Sequence, residues 1–381
     1  MKKWFKYILY IIAVISLTTC KTPYTPAPIT AVNNYLVVEG FINISDSTYI
    51  NLSRTVGVMS ASTVHPELKA IISIESNTGG SYPLSELGNG VYGGPNYNLS
   101  AANQYRVRIK TSNGNTYTSN FVQTSIAPPI DSVIWQAQGD GLHVSINTQD
   151  AKNSTKYFRW DYYETWEFYT FATSSAIYNG VTLVPRTPAQ QNHHCWGYDS
   201  NASVLLASTA TLSNQDIALN EPITFIPISS EKLSWEYSIL VKQYALTTDA
   251  YEYWTLLKKN TEQLGSIFDA QPSASIGNLQ NVNNPAEPVI GYISAGTVSQ
   301  TRIFINRYTQ LPQPYYVAYF DNDPYNQYSC NLDTGLPPAS AIWGLKPEII
   351  AATGTDGSGY EPPACADCTL RGSSTKPSYW P

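Results

Sequence analysis

Five cysteines, four histidines and two glutamates set among aromatic rings are the residues of this 381-residue chain whose types and spacing bear on chemistry. Glu164 and Glu167 lie among Trp160, Tyr163, Trp166 and Tyr169, the setting in which carboxylates that cleave glycosidic bonds work as acid and base or nucleophile. The plainer expectation is that both are solvated or hydrogen-bonded strand residues. His193, His194 and Cys195 could join the tail pair Cys365 and Cys368 around zinc, but structural zinc sites draw on two close-set pairs and no second pair exists. Cys365-Ala366-Asp367-Cys368 has redox spacing, yet Pro362 and Pro363 precede it where a redox dithiol needs a helix start. Asp321 to Asn326 offers oxygen ligands for calcium but lacks the glycine and distal glutamate of a calcium loop. Asp356-Gly357-Ser358-Gly359 has no strand–turn–helix setting for a nucleophilic serine. His65 and His143 stand apart, and neither a His-Glu-x-x-His pattern nor a phosphate-cradling glycine loop occurs. No catalytic residue, metal ligand or cofactor is assigned, and a non-enzymatic role is expected.

The first twenty residues are an address. Lys2, Lys3 and Lys6 precede the apolar run Ile8 to Leu17, and Leu17-Thr18-Thr19-Cys20 closes it. The run is shorter than the roughly 20 residues that span a bilayer, so it reads as a secretory signal over 1–19. The ending resembles a bacterial lipobox, with Thr19 in place of the usual smaller residue. Cys20 is the expected lipidation site, and residues 20–34, with Pro23, Pro26 and Pro28, form a tether. The expected location is the outer membrane, lipid-anchored, with its face undetermined.

With Cys20 lipidated, Cys195, Cys330, Cys365 and Cys368 form an even set in an oxidising compartment, which implies two disulfides with three connectivities open. Loop entropy favours long-range pairs: Cys195 to Cys330 is worth roughly 5 kcal/mol against roughly 2 for Cys365 to Cys368. Bonds from the tail cysteines to Cys195 and Cys330 would clamp the C-terminus to the body.

These residues are positioned by a mainly β chain. Short alternating segments fill 35–126: Tyr35 to Ile42, Thr48 to Leu52, Lys69 to Glu75, Gly90 to Tyr92, Gln104 to Lys110 and Thr116 to Val122, with Asn113-Gly114 as a hairpin turn. This pattern predicts an immunoglobulin-like β-sandwich. Ala127-Pro128-Pro129 marks a boundary. A larger, aromatic-rich β-sandwich-type domain is expected over 130–336. It begins with a hairpin, Asp131 to Gln136 and Gly141 to Asn147 around Gly139-Asp140-Gly141, and continues with a strand pair over Lys156 to Phe171. A period of two there puts Phe158, Trp160 and Tyr162 on one face and Tyr157, Arg159, Asp161 and Tyr163 on the other. Further strands are expected at Ile223 to Pro227, Trp235 to Ala245, Ile290 to Ala295, Thr301 to Ile305 and Tyr315 to Phe320. One inserted amphipathic helix spans about 249–264, with an Asp249–Glu252 capping box, a stripe of Ala250, Tyr253, Trp254, Leu257 and Leu264, and Gly265 as its stop. The stripe reads as scaffold. Residues 337–381 form an irregular tail carrying the Cys-x-x-Cys.

Composition narrows the partners. Lys plus Arg number 22 against 28 Asp plus Glu, a net charge of −6, which argues against nucleic acid. Charged residues make up only 13% and aromatics another 13%, with 29 Tyr, too aromatic for a disordered chain. Tyr and Trp offer flat apolar faces with a polar handle. Tyr162, Tyr163, Trp166, Tyr169, Tyr315, Tyr316 and Tyr319 are therefore candidates for a platform that binds a glycan or peptide, although a Tyr-built core accounts for many of them.

Leu36-Val37-Val38-Glu39-Gly40, Tyr157-Phe158-Arg159-Trp160 with Glu164-Thr165-Trp166-Glu167, Cys195-Trp196, Tyr251-Glu252-Tyr253-Trp254, Gly277-Asn278 and Val289-Ile290-Gly291-Tyr292 follow one another in a telling order. Cys365-Ala366-Asp367-Cys368-Thr369-Leu370-Arg371-Gly372 and Lys376-Pro377-Ser378-Tyr379-Trp380 close it. The chain thereby resembles the Bacteroidota lipoproteins of domain-of-unknown-function family 4249. The resemblance implies an envelope lipoprotein encoded beside TonB-dependent outer-membrane transporters, and it carries no catalytic residues. The expected function is a non-enzymatic accessory or substrate-capture component of a TonB-dependent transport system. A structural or adhesive envelope lipoprotein is the alternative, and a glycan-processing enzyme stands behind both.

Overall fold

The computed structural model describes residues 34–56, 65–150, 154–170, 173–178, 183–210, 216–262, 277–312, 348–350, 359–361 and 366–381. Cys20, Cys330, Cys365, Tyr315, Tyr316, Tyr319, Leu264, Gly265 and the Asp321 and Asp356 segments lie outside them. The chain is mainly β.

The first nine strands are β1 (Leu36–Asn43), β2 (Thr48–Arg54), β3 (His65–Pro66), β4 (Ile71–Ser76), β5 (Ser81–Gly88), β6 (Val91–Gly94), β7 (Gln104–Lys110), β8 (Thr116–Ser119) and β9 (Val122–Ser125). Then come β10 (Ile130–Ala137), β11 (Gly141–Asp150), β12 (Tyr157–Tyr169), β13 (Ser174–Tyr178), β14 (Leu183–Pro185), β15 (His194–Ser200), β16 (Leu205–Ser208), β17 (Asp216–Pro227) and β18 (Glu236–Leu246). Helix α1 (Thr248–Glu262) precedes β19 (Leu279–Asn281), β20 (Ser294–Gly296), β21 (Val298–Asn306), β22 (Glu348–Ile350) and β23 (Gly359–Glu361). No helix among the described residues is long and apolar enough to cross a membrane.

Alternation in β1 buries Leu36, Val38 and Ile42, and β2, β4 and β7 add Ile50, Leu52, Ile72, Ile74, Val107 and Ile109 to the same core. Three tyrosines join it with their hydroxyls satisfied: Tyr92 donates to Glu67 O at 2.9 Å, Tyr105 to Ser100 O at 2.9 Å and Tyr117 to Glu287 Oε1 at 2.9 Å. Gly114 turns the β7–β8 hairpin at φ 91°, as the Asn-Gly signal predicts. The pairings do not form the two separate sheets of an immunoglobulin-like sandwich. They run β7–β4–β5–β6–β2–β1–β20–β9 and back to β7, a closed ring of eight strands. The sealing strand β20 follows α1 in sequence and pairs in parallel with both β1 and β9. Just before it, Gly291 at φ 131° passes so near β1 that a Cβ would fall 2.0 Å from Val38 O, so only glycine fits.

The second region packs a three-stranded sheet, β10–β11–β17, on a larger one, β15–β12–β18–β21 with β16 beside β12. Their shared core holds Leu142, Val144 and Ile146 from β11 and Phe158, Trp160, Ile239, Val241 and Ile305 from the larger sheet. Gln243 is buried within it and fully used: it accepts from Trp160 Nε1 at 2.8 Å and donates to Pro128 O and Thr148 Oγ1, both at 2.9 Å. The expected strand pair over Lys156 to Phe171 is one 13-residue strand, β12, because nothing within it offers a turn. Ile290 makes only an isolated bridge to Val37, so the strand expected at Ile290 to Ala295 shrinks to β20. Helix α1 starts before Asp249: Thr247 is its cap, accepting from Ala250 N at 3.3 Å, which displaces the expected Asp249–Glu252 box.

The end of the chain is fastened to β15. Cys195 bonds Cys368, not Cys330, across 173 residues of sequence. This consumes the thiol that a zinc reading of His193, His194 and Cys195 requires. Ser373 and Trp196 exchange two backbone hydrogen bonds of 2.9 Å. Trp380 is 7% exposed and meets Trp196 and Phe304 edge-on, while Arg371 pairs with Glu231 over the Phe168 ring.

A loop this long makes the bridge worth roughly 5 kcal/mol on the chain-entropy estimate. Replacing Cys368 by Ser should lower the urea midpoint and make the chain after residue 366 protease-sensitive. An unchanged midpoint in the oxidised comparison would remove the clamp from the stability argument.

Candidate functional site

β12 decides where the predicted site residues go. Its even-numbered side chains, Phe158, Trp160, Tyr162, Glu164, Trp166 and Phe168, face inward from the larger sheet, and the odd-numbered ones face the other way. Tyr162 and Trp166 therefore share a face with the core, and Tyr163 and Tyr169 share the opposite one. The four do not form a single platform.

On the inward face, Glu164 is 2% exposed. Its carboxylate accepts from the Tyr237 hydroxyl at 2.7 Å and pairs with Lys232, whose ammonium also reaches Asp199 at 2.7 Å. Burial opposes the Lys232 charge, but hydrogen bonds to Asp199 and Glu164 outweigh it and hold the ammonium above its ordinary range. Burial, reinforced by the Glu164 charge, pushes the Tyr237 phenol well up. Lys232 also lies 5.2 Å over the Trp166 ring. Glu164 is thus a satisfied member of a buried cluster. Glu167 projects from the opposite face, where it meets His194 Nε2 at 2.7 Å and the Tyr169 hydroxyl at 3.3 Å. The two glutamates cannot flank one glycosidic bond. Tyr169 stacks on His194 at 4.3 Å and touches Trp235 at 4.5 Å, and burial with the Glu167 charge raises its phenol to about 12.

The odd face at the start of β12 lines a concave feature. A cleft of about 820 Å³ opens between the first sheet, the β12–β18 surface and α1. Sequence reasoning singled out only Tyr163 of its residues as a binder. Tyr163 is 44% exposed, with Lys242 Nζ 4.9 Å above its ring. Arg159 sits against two rings, its guanidinium carbon 4.4 Å from the Tyr244 centroid and 4.3 Å from that of Trp254. One of its nitrogens donates to Asp161 at 3.0 Å. Burial pushes up the Tyr244 phenol, with the Asp161 charge adding to the effect and Arg159 opposing it. Helix α1 buries Ala250 and Tyr253, and Tyr253, Trp254 and Leu257 line the cleft, so part of the expected scaffold stripe is cleft wall. Across from these rings, the first sheet contributes Glu39, Phe41, Asp46 and Tyr49. Such an enclosure can hold a small polar molecule with flat apolar faces. The signal that could have found it was the pair of cations, Arg159 and Lys242, within strands otherwise rich in aromatic and aliphatic residues. Among the described residues no group of His, Cys, Asp and Glu is placed to hold a metal.

A family described only as a domain of unknown function, DUF4249, matches residues 21–302. No curated protein matches the chain. Among solved structures, the complete structure of manganese lipoxygenase of Gaeumannomyces graminis with partial zonadhesin of Komagataella pastoris is similar over 58% of this chain and 91% of that one, at 12% identity and a TM-score of 0.18. The BSP domain of a biofilm-associated protein is similar over 78% of this chain and 62% of that one, at 8% identity and a TM-score of 0.14. At such scores neither likeness bears on fold or function.

Two outcomes follow from the buried groups. Glu164→Leu leaves the Tyr237 hydroxyl without its acceptor and should cost about 2–4 kcal/mol in urea unfolding at neutral pH. Adding Tyr237→Phe should return part of that loss, and a double variant no better than the single one would refute the pairing. Tyr237 and Tyr169 are held neutral in the folded chain, so their contribution is complete below the ordinary phenol range near 10. Stability should therefore fall as pH climbs from about 10 toward 12, and a urea midpoint that rises over this interval would contradict the assignment.

Proposed function

The chain belongs to the DUF4249 family, and from that premise we propose that it is an outer-membrane lipoprotein that captures a ligand for a TonB-dependent transport system without catalysing a reaction. Cys20 carries the lipid anchor and residues 20–34 the tether. The observation that carries this reading is the aromatic-walled cleft between the ringed sheet and the β12–β18–α1 surface, the kind of junction at which small ligands are held. The opposed faces of Glu164 and Glu167 favour binding over glycan hydrolysis. A structural or adhesive role draws support from a different feature, the exposed rings of Tyr198, Trp235, Tyr308 and Tyr379 on the second region.

Capture from native membranes separates the two. The intact lipidated protein, solubilised gently, should bring down a TonB-dependent barrel in stoichiometric amount, as read by mass spectrometry. Recovery of the protein alone, with surface attachment rather than nutrient uptake lost on deletion, would move the assignment to the adhesive role.

A further inference from the structure

We infer that the cleft receives its ligand through a carboxylate, bound by Arg159 and Lys242 beside the rings of Tyr163 and Trp254; this deepens the capture reading and rests on it. Register places the groups. In the β12–β18 ladder Arg159 stands opposite Tyr244 and Asp161 opposite Lys242, and paired residues of an antiparallel ladder share a face. Asp161 turns to Arg159 instead of its cross-strand neighbour. Lys242 is left with an aromatic ring beneath it and no carboxylate partner among the described residues.

Arg159 is held in a way that leaves one direction open. Tyr244 and Trp254 both hold their rings close against its guanidinium carbon, and its N–H donors point outward in the guanidinium plane. In that plane Nη2 is taken by Asp161, and Nε is enclosed with no partner. Nη1 has no hydrogen-bond partner among the described residues and is not enclosed. A guanidinium held by two rings and by Asp161 has lost rotamer freedom before a ligand arrives, and its planar donors suit a carboxylate. Two cations against Asp161 leave this wall with one uncompensated positive charge. The facing wall is acidic, through Glu39 and Asp46. Glu39 is bound by Asn51 Nδ2 at 3.2 Å and Asp46 by Ser47 N at 2.7 Å. This polarity directs a ligand's carboxylate toward β12 and β18 and its hydroxyl or amino groups toward β1 and β2. The exposed Tyr163 ring and the half-buried Trp254 ring, both lining the cleft, supply the surface for a ring carried next to the acid. The ligand class is therefore a ring-bearing carboxylate, which a uronic sugar and a peptide ending in an aromatic residue both provide.

The test uses trigalacturonate and the tripeptide Gly-Gly-Phe, each paired with its neutral counterpart, galactotriose and Gly-Gly-Phe amide. Binding to the full chain is measured by titration calorimetry at low salt. At least one acid should bind about tenfold or more tightly than its neutral counterpart, the value of one charge-assisted hydrogen bond, and which acid does so identifies the source. Lys242→Gln, a change at a half-buried position with no ion pair to break, should weaken the acid about fivefold while leaving the neutral probe unchanged. Arg159→Gln should weaken it further, with circular dichroism verifying the fold. Equal affinity for acid and neutral probes, or no binding of either acid at millimolar concentration, overturns the carboxylate assignment. Neither result bears on barrel capture from membranes, so the transport reading and this one fail separately.

Discussion

The period of two along β12 is the constraint on which the second half of the molecule depends. One strand is hydrogen-bonded to β18 on one side and to β16 and β15 in turn on the other. Its two faces have opposite tasks. The even face must be apolar where it meets β11 and must offer every polar atom a partner where it is not, which Trp160 achieves through Gln243 and Glu164 through Tyr237 and Lys232. The odd face is free to carry charge, and it does so with Arg159, Asp161 and Glu167. A slip of one residue in the ladder would exchange these tasks, burying the charges and exposing the indoles. Buried hydrogen bonds with a single satisfactory geometry make such a slip costly.

Much of this was legible. Alternation located β1, β2 and β7 within a residue or two, stopped three residues short of the end of β11, and found the extent of β12 while reading it as two strands; the division of Tyr157 to Tyr163 between two faces is the one found. Periodicity reports which residues share a face but not what lies opposite. The cleft is made by β1, β12, β18 and α1, elements far apart in sequence, so its residues looked like unrelated strand faces and a scaffold helix. Arg159 read as a strand-face residue and not as a binder, because the rings that hold it, Tyr244 and Trp254, come from two other elements. Strand β5 went unread because Pro83 sits in its middle, a residue that normally argues against a strand.

The clamp at the end of the chain shows the same limit from another side. Cysteine counting left three connectivities, and loop entropy alone cannot choose among long loops that differ by tenths of a kcal/mol. The choice is made by the surface that the tail finds: the Trp196 backbone, the Phe168 ring and the pocket for Trp380. Phe168 belongs to β12, so the strand that orders the cleft at one end also seats the tail at the other.

The ring of the first sheet has a consequence for how the chain reaches its fold. Strand β20 completes it, pairing Ser294 with Phe41 and Ala295 with Thr124. Until that late segment exists, β1 and β9 each present a row of unmet backbone donors and acceptors, a template for pairing with another chain. Contacts of such high sequence separation also form slowly, because their loop entropy is spent before they are rewarded. The N-terminal strands cannot finish as an independent early unit, and a nascent chain must be kept apart from its neighbours until nearly three hundred residues are present to close its own edges.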